Sequence, residues 1–114
     1  MSERDISLYL RDMIESAEAI FEYVENLSFH DFLNDRKTYS AVIREFEIIG
    51  EAAKHLPEEL TKKYEHIAWR DITDFRNLLI HEYFGVDSDI VWNPIRDDLP
   101  LLYQTLCKIS EQNA

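Results

Sequence analysis

An all-helical bundle is the fold this sequence predicts, on three observations. Only two glycines and three prolines punctuate the 114 residues, too few breaks for a set of short strands. No segment alternates apolar and polar residues with β-branched enrichment. Apolar residues instead recur three and four positions apart over long stretches, the spacing that lines one face of a helix. The expected architecture is all-α: a single domain over residues 1–114, folded as an up-and-down bundle of four to five helices.

The first helix is placed from Asp5 to Leu27, where Ile6, Leu10, Met13, Ala17, Ile20, Val24 and Leu27 form one stripe. Ser28 to Asn34 interrupts it, with Ser28 positioned to cap a short turn holding Phe29, Phe32 and Leu33. A second long helix runs from about Asp35 to Leu56 through Tyr39, Val42, Phe46, Ile49 and Ala53, and is expected to pack antiparallel to the first. Gly50 inside it costs about 1 kcal/mol relative to alanine, which predicts another backbone passing close by. Pro57 ends the helix, since it has no amide hydrogen and disfavours helical geometry in the residue before it.

Residues 57–68 read as a polar surface connection with one or two helical turns. A third helix begins at Trp69 to Asp71, continues through Ile72, Phe75 and Leu79, and is expected to end with Gly85 near its C-terminal cap. Val86 to Asp89 supplies cap residues for a fourth. Pro94 and Pro100 exclude one regular helix over the remainder, so a break is expected near Asp97 and Asp98, followed by the stripe Leu99, Leu102, Leu106 and Ile109.

Composition bounds the function. With 23 acidic against 12 basic residues and a formal charge of -11, the chain opposes non-specific nucleic-acid binding, although engaging a few phosphates needs only a local positive site. The one cysteine, Cys107, has no internal partner, and no signal peptide is visible. No apolar run approaches the roughly 20 residues that span a bilayer. A cytoplasmic protein without a membrane role is expected.

Most site chemistries lack support. His30, His55, His66 and His81 form no HxxxH or HExxH pattern, and the residues three before His55 and His81 are Ala52 and Leu78, which rules out the Glu-x-x-His pairs of a di-iron bundle. There is no glycine-rich phosphate loop and no GxSxG. No metal and no cofactor are expected.

What remains is the stretch from Arg76 to Tyr83, which gathers a permanent cation, a carboxamide at Asn77, an imidazole at His81 and a phenol. Arginine offers phosphate oxygens a planar fork of donors, and histidine titrates near neutrality, so the pair suits phosphodiester chemistry. On an ideal helix, however, Arg76 and His81 point about 140° apart, while Arg76 and Tyr83 lie within about 20°. Convergence needs unwinding at the helix end or two copies meeting across a two-fold axis, and the second is favoured. From spacing alone the plainer arrangement has Arg76 paired with a carboxylate, His81 bonded at a helix terminus and Tyr83 packed with its hydroxyl outward.

The order of residues resembles the HEPN domain family, in its HepT-like toxin branch. The resemblance is carried by residues 49–53 (IGEAA), Leu56, residues 69–72 (WRDI), residues 76–83 (RNLLIHEY), Val86-Asp87, Val91-Trp92 and residues 98–100 (DLP), and so spans most of the chain. It implies a helical bundle, a homodimer that brings two signatures to one interface, possible higher assembly with an antitoxin, and a metal-independent ribonuclease. Carried over, Arg76 and His81 are the catalytic pair and Asn77 supports them. Tyr83 matches the tyrosine that a cognate MntA-like nucleotidyltransferase modifies with AMP; AMP found on another tyrosine, such as Tyr103, would overturn that assignment. The expected reaction is attack of a ribose 2'-hydroxyl on the adjacent phosphate of RNA, His81 moving the proton and Arg76 stabilising charge. Glu51 and Glu47 are candidates to orient Arg76, a solvated face being the ordinary reading of both. Two competing readings stand beside it: a non-catalytic regulatory module that binds a nucleotide or its nucleotidyltransferase, and a structural adaptor in which Arg76 and His81 are apart and separately satisfied.

Overall fold

Ser2 accepts a hydrogen bond from the Asp5 amide at 3.2 Å and so starts the first helix, α1 (Glu3–Val24), two residues ahead of the expected position. The computed structural model describes residues 2–81 and 87–112. α1 ends at Val24 and not at Leu27, because Asn26 adopts φ 65°, a left-handed conformation that asparagine tolerates better than most side chains. Leu27 still packs against the core, but from the turn. Ser28 then caps α2 (Phe29–Leu33) with a full capping box: its hydroxyl accepts from the Asp31 amide, and the Asp31 carboxylate accepts from the Ser28 amide.

The second long helix, α3 (Arg36–Lys54), is capped by Asp35, whose two carboxylate oxygens accept from the amide and the hydroxyl of Thr38. It stops at Lys54, short of Pro57, and Pro57 instead occupies the N-cap position of the single-turn α4 (Glu58–Lys62). The connection that follows is less superficial than its polarity suggests. Ile67 is buried, Leu60 and Tyr64 lean on the core, and the Trp69 indole donates to the Tyr64 carbonyl at 3.0 Å.

α5 (Trp69–His81) carries the Arg76 to His81 stretch, and its expected cap at Gly85 lies outside the described residues. α6 (Ser88–Asp97) and α7 (Leu99–Gln112) meet at Asp98, where a break was expected. Pro94 sits within α6 without ending it, so the helix forgoes one hydrogen bond there and runs on to Asp97. What holds it is burial of Val91, Trp92 and Ile95, with the Trp92 ring 5.0 Å from Phe32 of α2. Pro100 falls in the first turn of α7, where no amide partner is lost.

The core is one cluster. Leu10, Met13 and Ile20 of α1, Val42, Ile43 and Ile49 of α3, and Leu106 and Ile109 of α7 are almost wholly excluded from water. α3 packs most extensively against α1 and α5, and α7 against α1, so α5 lies outside the α1–α3–α7 core. Leu79 is the one residue of α5 that is fully buried. Among the described residues there is no strand, and no helix is long and apolar enough to cross a membrane.

Candidate active site

Two helices build the site, and glycine decides how closely they approach. A Cβ placed on Gly50 of α3 would stand 2.2 Å from Arg76 Cβ, 2.7 Å from Arg76 Cγ and 3.3 Å from the Ile72 carbonyl of α5. The stem of Arg76 therefore occupies the space that any larger residue at position 50 would fill. This is the close approach that a glycine in mid-helix predicted, and it is made by a side-chain stem as well as by backbone.

Beyond that slot the Arg76 guanidinium is held at both ends. Nη2 lies 2.8 Å from Glu51 Oε2, and Nη1 donates to Asn77 Oδ1 at 2.9 Å. The contact with Glu51 is ionic rather than a well-aligned hydrogen bond: Glu51 Oε2 and Arg76 Nε are both buried without a hydrogen-bond partner among the described residues. Glu51 is itself held from the other side. Its Oε1 lies 3.3 Å from His55 Nε2, and the His55 ring stacks on Tyr9 of α1 with centroids 4.8 Å apart and planes 9° from parallel. The hydrogen bond with His55 does most to hold the Glu51 carboxyl below the usual carboxylate range; desolvation opposes this and the Arg76 charge assists it.

Glu51, half-exposed, is thus not only the solvated surface acid of the ordinary reading, since it also meets the guanidinium. Glu47 is closer to that reading, since it lines the same shallow groove of about 300 Å³ without touching the guanidinium. The groove also takes in Tyr9, Asp12 and Arg44, so two arginines face three carboxylates and the groove carries no net positive charge among the described residues.

His81 ends α5 with its side chain exposed, and no hydrogen bond or ion pair of His81 occurs among the described residues. The structure therefore brings Arg76, Asn77 and Glu51 together, and among the described residues no hydrogen bond or ion pair joins His81 to any of them. Asn77 narrows the gap: four residues before His81, it shares that helix face to within about 40°, and it is the residue that the guanidinium reaches. Tyr83 lies outside the described residues. Among those described, no group of three histidine, cysteine or acidic side chains is placed to hold a metal ion.

Sequence reasoning passed over Tyr9 and weighed His55 only as a metal ligand. The available signal was local, since His55 follows Glu51 by four residues on one helix face; Tyr9, forty-six residues away from it in the chain, offered none.

Comparison with known proteins points to one family. A family model described as "Ribonuclease HepT-like" matches residues 13–109. The chain is 45% identical over 94 residues to "Probable ribonuclease HepT" of Thermococcus cleftensis, covering 82% of this chain and 86% of that one. It is 36% identical over 100 residues to "Putative RNase MJ1380" of Methanocaldococcus jannaschii, covering 88% and 92%. A third relative from that archaeon, "Gamma-glutamylcyclotransferase and putative RNase MJ0434", is 41% identical over 109 residues; the match takes in 96% of this chain but 49%, about half, of the relative's length. No solved structure matches.

Proposed function

Because the chain belongs to the HepT-like ribonuclease family, we propose that it is a metal-independent endoribonuclease, the toxin of a toxin–antitoxin pair acting in the cytoplasm. The observation that carries this reading is a guanidinium held at Gly50, Glu51 and Asn77, on the same helix as an exposed imidazole five residues further on that has no partner among the described residues. In the proposed reaction a ribose 2'-hydroxyl attacks the adjacent phosphorus, the 5'-oxygen leaves, and a 2',3'-cyclic phosphate remains. His81 accepts the 2'-proton and, from the second copy in a dimer, donates one to the leaving oxygen. Arg76 stabilises the charge that builds on the phosphoryl oxygens, and Asn77 keeps the guanidinium turned toward them.

A homodimer through α5 accounts for the separation of Arg76 and His81 in one chain. It is supported by the outer position of α5, which contacts α3 chiefly and buries only Leu79 fully. The purified protein should cut single-stranded RNA in the presence of EDTA and leave cyclic phosphate ends, read by mass spectrometry of the fragments. Cleavage that stops with chelator would end the acid–base mechanism.

The acidic groove favours a second reading, a non-catalytic module that binds a nucleotide or its nucleotidyltransferase. Absence of cleavage, together with binding of the partner enzyme, would select it.

Regulation is proposed at Tyr83, by transfer of AMP from ATP onto the phenol oxygen with release of pyrophosphate, catalysed by an MntA-like nucleotidyltransferase. An added phosphodiester on the Arg76 face, where an ideal helix would carry residue 83, would compete with the RNA backbone. Tyr103 is a poorer acceptor: its hydroxyl donates to Glu18 at 2.7 Å, and that bond, with Cys107 assisting, pushes its pKa up to about 12. Tyr83→Phe should leave cleavage intact and abolish neutralisation, so that cells expressing both proteins survive with the parent and not with the variant. Equal rescue of both, with AMP mapped elsewhere, would remove Tyr83 from this role.

A further inference from the structure

The Glu51–Arg76 contact does not look like a device for stability. A half-exposed carboxylate beside a mostly buried guanidinium leaves Glu51 Oε2 with the charge of Nη2 but no aligned hydrogen bond, and Arg76 Nε buried with none, among the described residues. Such atoms cost free energy rather than supply it, and a partly buried ion pair is weak support for a fold. The carboxylate also works against ground-state binding, because it cancels charge that an RNA phosphate would otherwise meet. An arrangement unfavourable on both counts calls for another explanation.

Geometry supplies one. An arginine side chain has four rotatable torsions, and here the stem is confined by Gly50, one terminal nitrogen by Glu51 and the other by Asn77. Glu51 has in turn been fixed by His55, and His55 by its stack on Tyr9, so the chain of contacts runs from α1 through α3 to α5. Asn77 engages one donor hydrogen of Nη1, Glu51 holds Nη2 by its charge, and Nε is buried. The hydrogens that remain on Nη1 and Nη2 are those left to meet phosphoryl oxygens.

We propose that Glu51 is a positioning residue for Arg76, backed by His55 and Tyr9, and that it raises turnover by presenting the guanidinium in one orientation at the expense of substrate affinity. The proposal rests on the ribonuclease reading for its kinetic consequence but not for its structural one. If the guanidinium must be placed to within about an ångström, its release should cost up to about a hundredfold in rate.

Kinetics and magnetic resonance test the two consequences separately. Glu51→Ala should lower kcat for an RNA oligonucleotide by about 10- to 100-fold while KM stays level or falls. Glu51→Gln, which keeps the shape and one acceptor oxygen, should recover part of kcat. Unchanged kcat in the Ala variant, or an increased kcat/KM, would overturn the proposal, the latter showing that Glu51 merely masks the arginine. A loss of activity matched by a loss of folded protein in both variants would make Glu51 structural and overturn it equally. Independently of any activity, the Arg76 Nε–H signal of 15N-labelled protein, assigned by its absence in Arg76→Lys, should be sharp in the parent and shifted and broadened in Glu51→Ala. An unaltered signal would show that Glu51 does not hold the arginine. A parent protein that fails to cut RNA would end the ribonuclease reading, and this spectrum would still decide whether Glu51 positions Arg76.

Discussion

His81→Ala is expected to lower RNA cleavage by about 10²- to 10⁴-fold, the range that a positioned general acid or base contributes. Stability should hardly move. His81 is the last residue of α5, exposed and without a partner among the described residues, and substitutions at such surface positions usually change stability by less than about 0.5 kcal/mol. The measurement is single-turnover cleavage of a defined oligonucleotide alongside thermal unfolding. A composite site adds a sharper expectation: mixing His81→Ala with Arg76→Ala should restore part of the activity if each protomer lends one residue to a shared cleft. Full activity of His81→Ala would remove the histidine from the mechanism. Failure of the mixture, with both variants shown to exchange subunits, would confine each site to one chain.

The fold was legible because its signals are local. Apolar spacing located four of the longer helices and the cap residues Val86 to Asp89 a fifth, and Ser28 and the Asp97–Asp98 break marked two boundaries within a residue or so. Helix ends were misread where one residue overrode the stripe. Asn26 stops α1 although Leu27 continues its apolar period, and α3 stops at Lys54 before Pro57 can act. In the site, Arg76 and Asn77 were visible as chemistry-bearing residues five and four positions before a histidine. That Glu51 reaches Arg76 was not visible, because an acid on a helix face looks the same whether water or a guanidinium faces it. Only Gly50, next to it, hinted that a second helix passes there. The separation of Arg76 from His81 followed from helical angles alone, and the outer position of α5 leaves room for the second copy that those angles call for.

Gly50→Ala should damage stability and activity together, unlike any substitution of His81. The exchange removes a helix-interior glycine and so gains about 1 kcal/mol of intrinsic helix propensity. Against this, the new methyl would stand 2.2 Å from Arg76 Cβ, far inside van der Waals contact, and 3.3 Å from the Ile72 carbonyl. Cβ cannot swing aside as a side-chain terminus would, so α5 must retreat from α3. Overpacking of this kind costs typically about 1–3 kcal/mol, and Leu79, the one fully buried residue of α5, would lose contacts as the helices part. Net of the propensity gain the loss is up to about 2 kcal/mol, and Tm is expected to fall by about 5 °C. Cleavage per folded molecule should fall up to about a hundredfold, since a shift of about an ångström carries the guanidinium away from Glu51 and the phosphate it serves. Arg76→Ala in the same chain is the decisive control. It deletes Cγ at 2.7 Å but keeps the Cβ at 2.2 Å, so the double variant should remain as unstable as Gly50→Ala alone. Recovery of Tm in the double variant would place the obstruction in the arginine's outer stem. An unchanged Tm in the single variant would mean that α5 does not cross α3 at Gly50, and the slot that holds Arg76 would have to be sought elsewhere.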